Sequence, residues 1–488
     1  MAEVVVVGGG VGGLAAAMRL GSAGHHVTVL ERNDVMGGKL AMRQRNGFSF
    51  ETGPSLLTMP AVFDELFALG GSSLAEAVDL VRLDPICRYR FADGSTFDTR
   101  ACAGDTEAGV ETFSPGSGQA WRTFHERGLT SWDVAERTFF AGPMGSPVDM
   151  ARRLRSVSDL TRIDATRTLH RSAERAFTHD PRLVQYVDRY ATYSGSSPYR
   201  TPATLACIPA IEQHYGAWYV RGGLGRLSEA LASAAESLGV SLRTRSDVTS
   251  VLSRDGRVTG VRLADGQSLS ADIVVADVDA QHLYADLVPN RTRLRRLSRV
   301  GRSSSGFVLL AGVRGRTEGL AHHNVSFPES YCAEFDALFT TRRPVADPAV
   351  YVCCSSVTDH DQAPDGCENW FVLVSAPAGG TTDWSSEAPQ YRDHLLEVMA
   401  ARGWDLSGRL QFVETITPAD IARRYRTHQG AIYGTSSNGR AAAFLRPGNR
   451  GPLDGLYLVG GSSHPGGGLP LVAISARIVA DLIDRDRR

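Results

Sequence analysis

The chain holds one lysine, Lys39; its other basic residues are arginines, 52 Lys+Arg stand against 53 Asp+Glu, and the formal net charge is −1. The arginine bias points to a GC-rich genome. There is no basic excess to drive the counterion release behind nucleic-acid binding, so nucleic acid is not expected as a partner. Long apolar runs are missing too. A helix spanning a bilayer needs about 20 apolar residues, whereas Phe307 to Val313 offers seven, so any membrane contact is expected to be peripheral. The N-terminus has no basic stretch and no small-residue cleavage site, and its apolar run breaks at Gly8, which argues against a signal peptide. Seven cysteines form neither a CxxC nor a metal-like Cys/His spacing. A reducing cytoplasm is expected, with neither a metal cluster nor a Ser/His nucleophile. Adjacent Cys353 and Cys354 read as small packing residues of a strand. With 42% hydrophobic and 22% charged residues over 488 positions, disorder and collagen-like repeats are excluded. The length allows about three globular units.

What is present begins at once. Val4 to Val7 is a β-branched run of buried-strand length, Gly8-Gly9-Gly10-Val11-Gly12-Gly13 follows, and Leu14 to Leu20 carries helix-forming Ala, Met and Leu. Gly8, Gly10 and Gly13 thus occupy the positions of G-x-G-x-x-G. There the first glycine permits a tight turn, the second lets a phosphate approach the backbone, and the third lets helix and strand pack closely. The free N–H groups and dipole of the helix N-terminus favour a pyrophosphate. A second strand, Val27 to Leu30, ends in Glu31, whose carboxylate suits ribose hydroxyls and would repel a 2′-phosphate. Gly37-Gly38-Lys39 follows the acid, and Lys39 reads either as a site residue or as a solvated charge.

Further along, Phe50-Glu51-Thr52-Gly53-Pro54 reads as a turn, and Ala61 to Leu69 as a helix. From there to about residue 215 the chain is helical and arginine-rich, like an inserted cap. Arg221 to Leu227 opens a helix reaching about Leu238; strands are expected near Val248 to Leu252, Val258 to Leu263 and Ile273 to Ala276. Residues 301–415 alternate strand-like runs (Phe307 to Val313, Val350 to Cys354, Phe371 to Ser375) with loops. The chain closes with a strand, Leu456 to Val459, the loop Gly460 to Pro470, and a helix with Leu471, Ile474, Ile478 and Leu482 on one face. A strand, glycine-rich loop and helix recur here more than 400 residues from the first set, and both loops suit one long cofactor.

With these residues in hand, the sequence resembles the bacterial phytoene desaturase family: carotenoid desaturases and dehydrogenases of the FAD-dependent, amine-oxidase-like superfamily. The resemblance runs almost end to end. It rests on Gly8 to Lys39, Glu51-Thr52-Gly53-Pro54-Ser55, the Tyr193 to Gly223 stretch with Glu212, Gly216 and Trp218, Ala321-His322-His323-Asn324, and Gly460 to Pro470. The first segment is common to the flavin superfamily; the last is far more specific, although Gly466-Gly467-Gly468 has one glycine more than the usual pattern. The resemblance implies an α/β two-dinucleotide-binding-fold flavoprotein. Its Rossmann-like FAD domain is assembled from residues 1–75, 220–300 and 416–488, a helical, membrane-associating cap spans 76–219, and a substrate-binding sheet domain spans 301–415. FAD is implied at Gly8, Gly10, Gly12, Gly13, Glu31, Arg32, Gly38, Lys39, Val248, Gly460, Gly461 and Pro470. A lipophilic polyene substrate, peripheral attachment to the inner face of the cell membrane, and quinone or oxygen as electron acceptor follow. His322-His323-Asn324 and Ala333-Glu334-Phe335-Asp336 look most like the branch acting on hydroxylated or partly desaturated carotenoids.

Removing a hydride from an allylic carbon requires an acceptor such as flavin and leaves a cation that aromatic faces stabilise. Tyr186, Tyr190, Tyr193, Tyr199, Tyr215, Trp218 and Tyr219 cluster in sequence. Tyr193, Tyr215 and Trp218 are the candidate substrate contacts, with an aromatic core as the other reading. For the proton, Asp149 with Arg152 at i+3 is one candidate pair, the alternative being a surface ion pair. His464 is the other candidate, either as a base or as a hydrogen bonder fixing its loop. Two further readings stay open: a flavin oxidase or isomerase acting on an amine or another polyene, and a non-enzymatic isoprenoid carrier resembling Rab escort proteins.

Overall fold

The computed structural model describes residues 1–488 apart from 146–151, 157, 165, 440 and 441. The valines of Glu3–Val7 are buried on both faces, as the continuous apolar run requires, and the strand lies at the centre of a five-stranded parallel sheet. Its order is Ser241–Arg243, His26–Leu30, Glu3–Val7, Ile273–Ala276, Leu456–Leu458. Val4 is in register with both Val27 and Ile273, so segments more than 240 residues apart share one layer. The first helix, Val11–Ser22, and the last, Leu469–Arg487, pack together over this sheet, burying Leu14, Ala15 and Met18 against Ile474, Ile478 and Val479. Each large apolar side chain removed from water there stabilises the fold by about 1.5–3 kcal/mol.

The second layer is a seven-stranded mixed sheet ordered Leu410–Ile416, Ser305–Arg314, Cys367–Ala376, Val350–Cys353, His323–Ser326, Cys87–Arg90, Thr96–Thr99. Its last two strands come from within 76–219, so the sheet reaches beyond 301–415 and the cap segment is not wholly helical. Strand Ser305–Arg314 buries both faces. Phe307, Leu309, Ala311 and Val313 pack under helix Trp384–Ala401, while Val308 and Leu310 join Phe48, Phe50 and Phe371 on the other side. The cap is built on helices such as Gly118–Ala135 and Cys207–Tyr215, and a small sheet of Leu57–Thr58, Ala217–Val220 and Leu80–Arg82 ties it to the N-terminal segment. All seven cysteines are free, with Cys353 and Cys354 buried. Among the described residues no helix is long and apolar enough to cross a membrane.

Candidate functional site

Two backbone features shape the glycine loop. Gly8 has φ +101°, and a Cβ on Gly13 would stand 2.0 Å from the Gly8 carbonyl oxygen. Only glycines allow this turn and this closeness of helix to strand. The cradle is completed from far along the chain. A Cβ on Gly12 would meet the Gly460 backbone at 3.1 Å, and one on Gly460 would meet the Asp277 carboxylate at 2.1 Å. The N-terminal and C-terminal glycine loops therefore face each other across Asp277, which accepts the Gly13 N–H at 2.8 Å. Burial raises its carboxyl to about 7, against the Gly13 hydrogen bond and the nearby Lys39 charge.

One continuous cavity of about 540 Å³ starts here. Its wall includes Gly8, Gly10, Gly12, Glu31, Arg32, Gly38, Lys39, Val248, Gly461 and Pro470, gathered from four distant stretches, while Gly13 and Gly460 stand behind it. Glu31 is fixed as a carboxylate acceptor by the N–H of Gly9 at 2.8 Å, the N–H of Asn33 at 2.8 Å and the Asn33 amide at 2.7 Å. Lys39 Nζ donates to the Ile432 carbonyl at 2.6 Å. Burial lowers its pKa, with Asp279 and Asp277 opposing, and its place in the cavity wall favours the site reading over a solvated charge. Arg446 holds the closing loop in place through the carbonyls of Tyr433, Thr435 and Gly461. This buried guanidinium, lowered to about 10 by desolvation, carries no local sequence signal. A loop with free helix-terminal N–H groups, an anchored acid for ribose and a long cavity beyond them fit FAD.

Beyond Lys39 the cavity opens into a chamber. A Cβ on Gly53 would stand 2.1 Å from the Lys39 carbonyl oxygen, so the Gly53-Pro54-Ser55 turn is pressed onto Lys39. Ser55 Oγ and Tyr351 Oη lie 2.6 Å apart, and Tyr351 Oη lies 2.8 Å from His323 Nδ1. Val308, Val325, Phe371 and Leu373 supply apolar wall, and Tyr193, Arg189, Glu212, Tyr331 and Glu334 supply polar wall. Burial pushes His323 well below the usual histidine range, and its Nε2 is buried without a hydrogen-bond partner. His323 pairs with Cys353 across adjacent strands, and His322 joins them. Sequence spacing gave no sign of this cluster because strand pairing alone brings it together.

The nominated chemistry residues scatter. Tyr193 lines the chamber, but Tyr215 and Trp218 do not. The Tyr215 hydroxyl accepts from Trp132 Nε1 at 3.2 Å, and Trp218 Nε1 donates to the Tyr215 carbonyl at 2.9 Å. Tyr186 and Tyr190 meet edge to face within an aromatic core, so that core accounts for most of the tyrosine run. Of the two readings of His464, its surroundings favour the hydrogen bonder that fixes its loop. It is 2% exposed and outside the cavity wall. Its Nε2 donates to the Gly142 carbonyl at 3.1 Å, its carbonyl accepts from Asn449 and Ser475, and burial holds its pKa at about 4. Asp149 lies outside the described residues; Arg152 is exposed.

A family model, flavin containing amine oxidoreductase, matches residues 11–484. A 4,4'-diapolycopene oxygenase from a Methylomonas species is 35% identical over 490 residues, 99% of this chain and 98% of that one. A 1-hydroxycarotenoid 3,4-desaturase from a Flavobacterium strain is 32% identical over 487 residues, 99% of each. Among solved structures, putrescine oxidase bound to putrescine has a TM-score of 0.65 at 16% identity over 99% of both chains, a likeness of fold.

Proposed function

The chain belongs to the flavin-containing amine oxidoreductase family and is an FAD-dependent oxidoreductase, and from that premise we propose that it desaturates an acyclic carotenoid or hydroxycarotenoid in carotenoid biosynthesis. The observation that carries this reading is the single cavity running from the glycine loop past Lys39 into a chamber with apolar and aromatic walls. End-to-end relatedness to two proteins named for carotenoid substrates supports it. Bound FAD supplies a hydride acceptor, which no side chain offers.

The chain's own residues bind, orient and deprotonate. Glu31 and the glycine loops hold the dinucleotide. Tyr193 and Tyr351 present aromatic faces to the cation left by hydride loss. His323 is the proton acceptor of this reading. In the tautomer whose Nδ1–H donates to Tyr351, with the Tyr351 hydroxyl donating in turn to Ser55, Nε2 carries a lone pair on a neutral ring. Asp149 is the second candidate. Peripheral attachment to the inner face of the cell membrane follows from the substrate's solubility, and the exposed Arg152, Arg155, Arg162, Arg167, Arg171 and Arg175 suit anionic headgroups. Quinone or oxygen would be the terminal electron acceptor. Incubating the purified flavoprotein in liposomes with a panel of acyclic carotenoids tests the activity: products with lengthened chromophores support it, and unchanged carotenoids oppose it.

A further inference from the structure

Arg189 is 9% exposed, yet its guanidinium meets no carboxylate at ion-pair distance among the described residues. Its hydrogen bonds run from Nη1 alone, to the hydroxyls of Tyr89 at 3.1 Å and Tyr193 at 3.4 Å. The rings of Tyr89, Tyr190, Tyr193 and Tyr351 surround it at 5.3–5.9 Å. A buried cation held only by phenol rings and two neutral oxygens keeps N–H groups in need of an acceptor. Those groups belong to the chamber wall.

Three neighbours define what the acceptor is. Tyr193 Oη donates to Glu212 at 2.8 Å while receiving from Arg189, so the phenol bridges Arg189 and Glu212. Glu212 also accepts from Tyr190 at 2.9 Å and forms part of the wall. Tyr331 lines the same chamber and has a buried hydroxyl without a partner; burial and the neighbouring Glu334 raise its pKa, with Arg189 opposing. The site, with Glu334 in the same wall, therefore offers both donors and acceptors to a bound polar group. A carboxylate would be repelled by Glu212; a hydrocarbon end would leave guanidinium N–H groups dry. A hydroxyl both accepts and donates.

We propose that Arg189, Tyr331 and Glu212 form a subsite in the chamber that binds a hydroxyl group at the end of the polyene substrate. This rests on the polyene reading above and narrows it to hydroxyl-terminated chains. A charge-assisted hydrogen bond in a dry site favours the hydroxylated chain over its hydrocarbon analogue by about 10- to 100-fold. The test is competition between an acyclic carotenoid with a terminal hydroxyl and the same carotenoid without it, both in liposomes with the purified flavoprotein, read as the ratio of kcat/KM values. The expected wild-type ratio is in that range, falling towards one in Arg189→Met. Tyr331→Phe removes only an oxygen and keeps the ring; it should lower the ratio roughly 2- to 10-fold even if Arg189→Met does not fold. A wild-type ratio near one, or an unchanged ratio in Tyr331→Phe, overturns the subsite while leaving polyene desaturation intact. Turnover of neither carotenoid overturns both.

Discussion

The Asp277 carboxylate accepts the Gly13 backbone N–H at 2.8 Å across 264 residues of sequence, closing the phosphate cradle with an acid. Burial is the main cause of its raised pKa of about 7. Below that pH the carboxyl is neutral; above it an anion would face a pyrophosphate held by the glycine loop, with Glu31 adding like charge and Lys39 opposing. FAD affinity is thus expected to fall as pH rises through about 7, by up to about tenfold per pH unit for one linked proton. Titrating apoprotein with FAD from pH 6 to 9 checks this. Asp277→Asn should flatten the dependence; an equal slope in both proteins would remove Asp277 as its cause.

Gly13→Ala places a methyl carbon 2.0 Å from a backbone oxygen that cannot move without breaking the central strand. Overpacking of this kind costs about 1–3 kcal/mol or more. A lower melting temperature and a reduced flavin-to-protein ratio are expected, and native values for both would contradict the packing role.

Glu31→Lys replaces an anchored acceptor by a cation. The flavin-to-protein ratio after purification should fall severalfold, whereas full occupancy would count against ribose binding by Glu31.

The first glycine loop and Glu31 were readable because strand, loop, helix and acid lie within one local stretch whose spacing is fixed by backbone geometry. The closing loop was readable for the same reason. Asp277 and the pairing of His323 with Cys353 were not, since each acquires its role only when distant strands align in register; Arg446 was not, since its partners are backbone carbonyls of loops, which leave no residue pattern. The tyrosine run misled in part: nearness in sequence put Tyr215 and Trp218 beside Tyr193, but Tyr215 ends helix Cys207–Tyr215 against Trp132 and Trp218 lies in the strand Ala217–Val220, both outside the chamber wall. For His464 the sequence left a base and a loop-fixing hydrogen bonder open, and burial with the Gly142 carbonyl favours the second.

Three substitutions separate the candidate proton acceptors. His323→Gln should lower product formation by roughly 10²-fold with normal flavin content. His464→Gln should lower thermal stability or flavin retention more than turnover. Asp149→Asn should leave turnover close to wild type if His323 takes the proton; a 10²-fold loss there, with His323→Gln near wild type, would transfer the role to Asp149.

Membrane attachment is checked by flotation with anionic liposomes at low salt. Co-flotation that weakens as salt is raised is expected from an arginine-bearing face, and protein remaining at the bottom of the gradient would contradict it.

The most direct measurement of the central claim is anaerobic mixing of the purified flavoprotein with a liposome-borne acyclic carotenoid while the flavin absorbance band is followed. The account predicts that the oxidised flavin band bleaches as a longer polyene chromophore grows in, in equal molar amounts. A flavin that stays oxidised with every acyclic carotenoid but bleaches with an amine would contradict it.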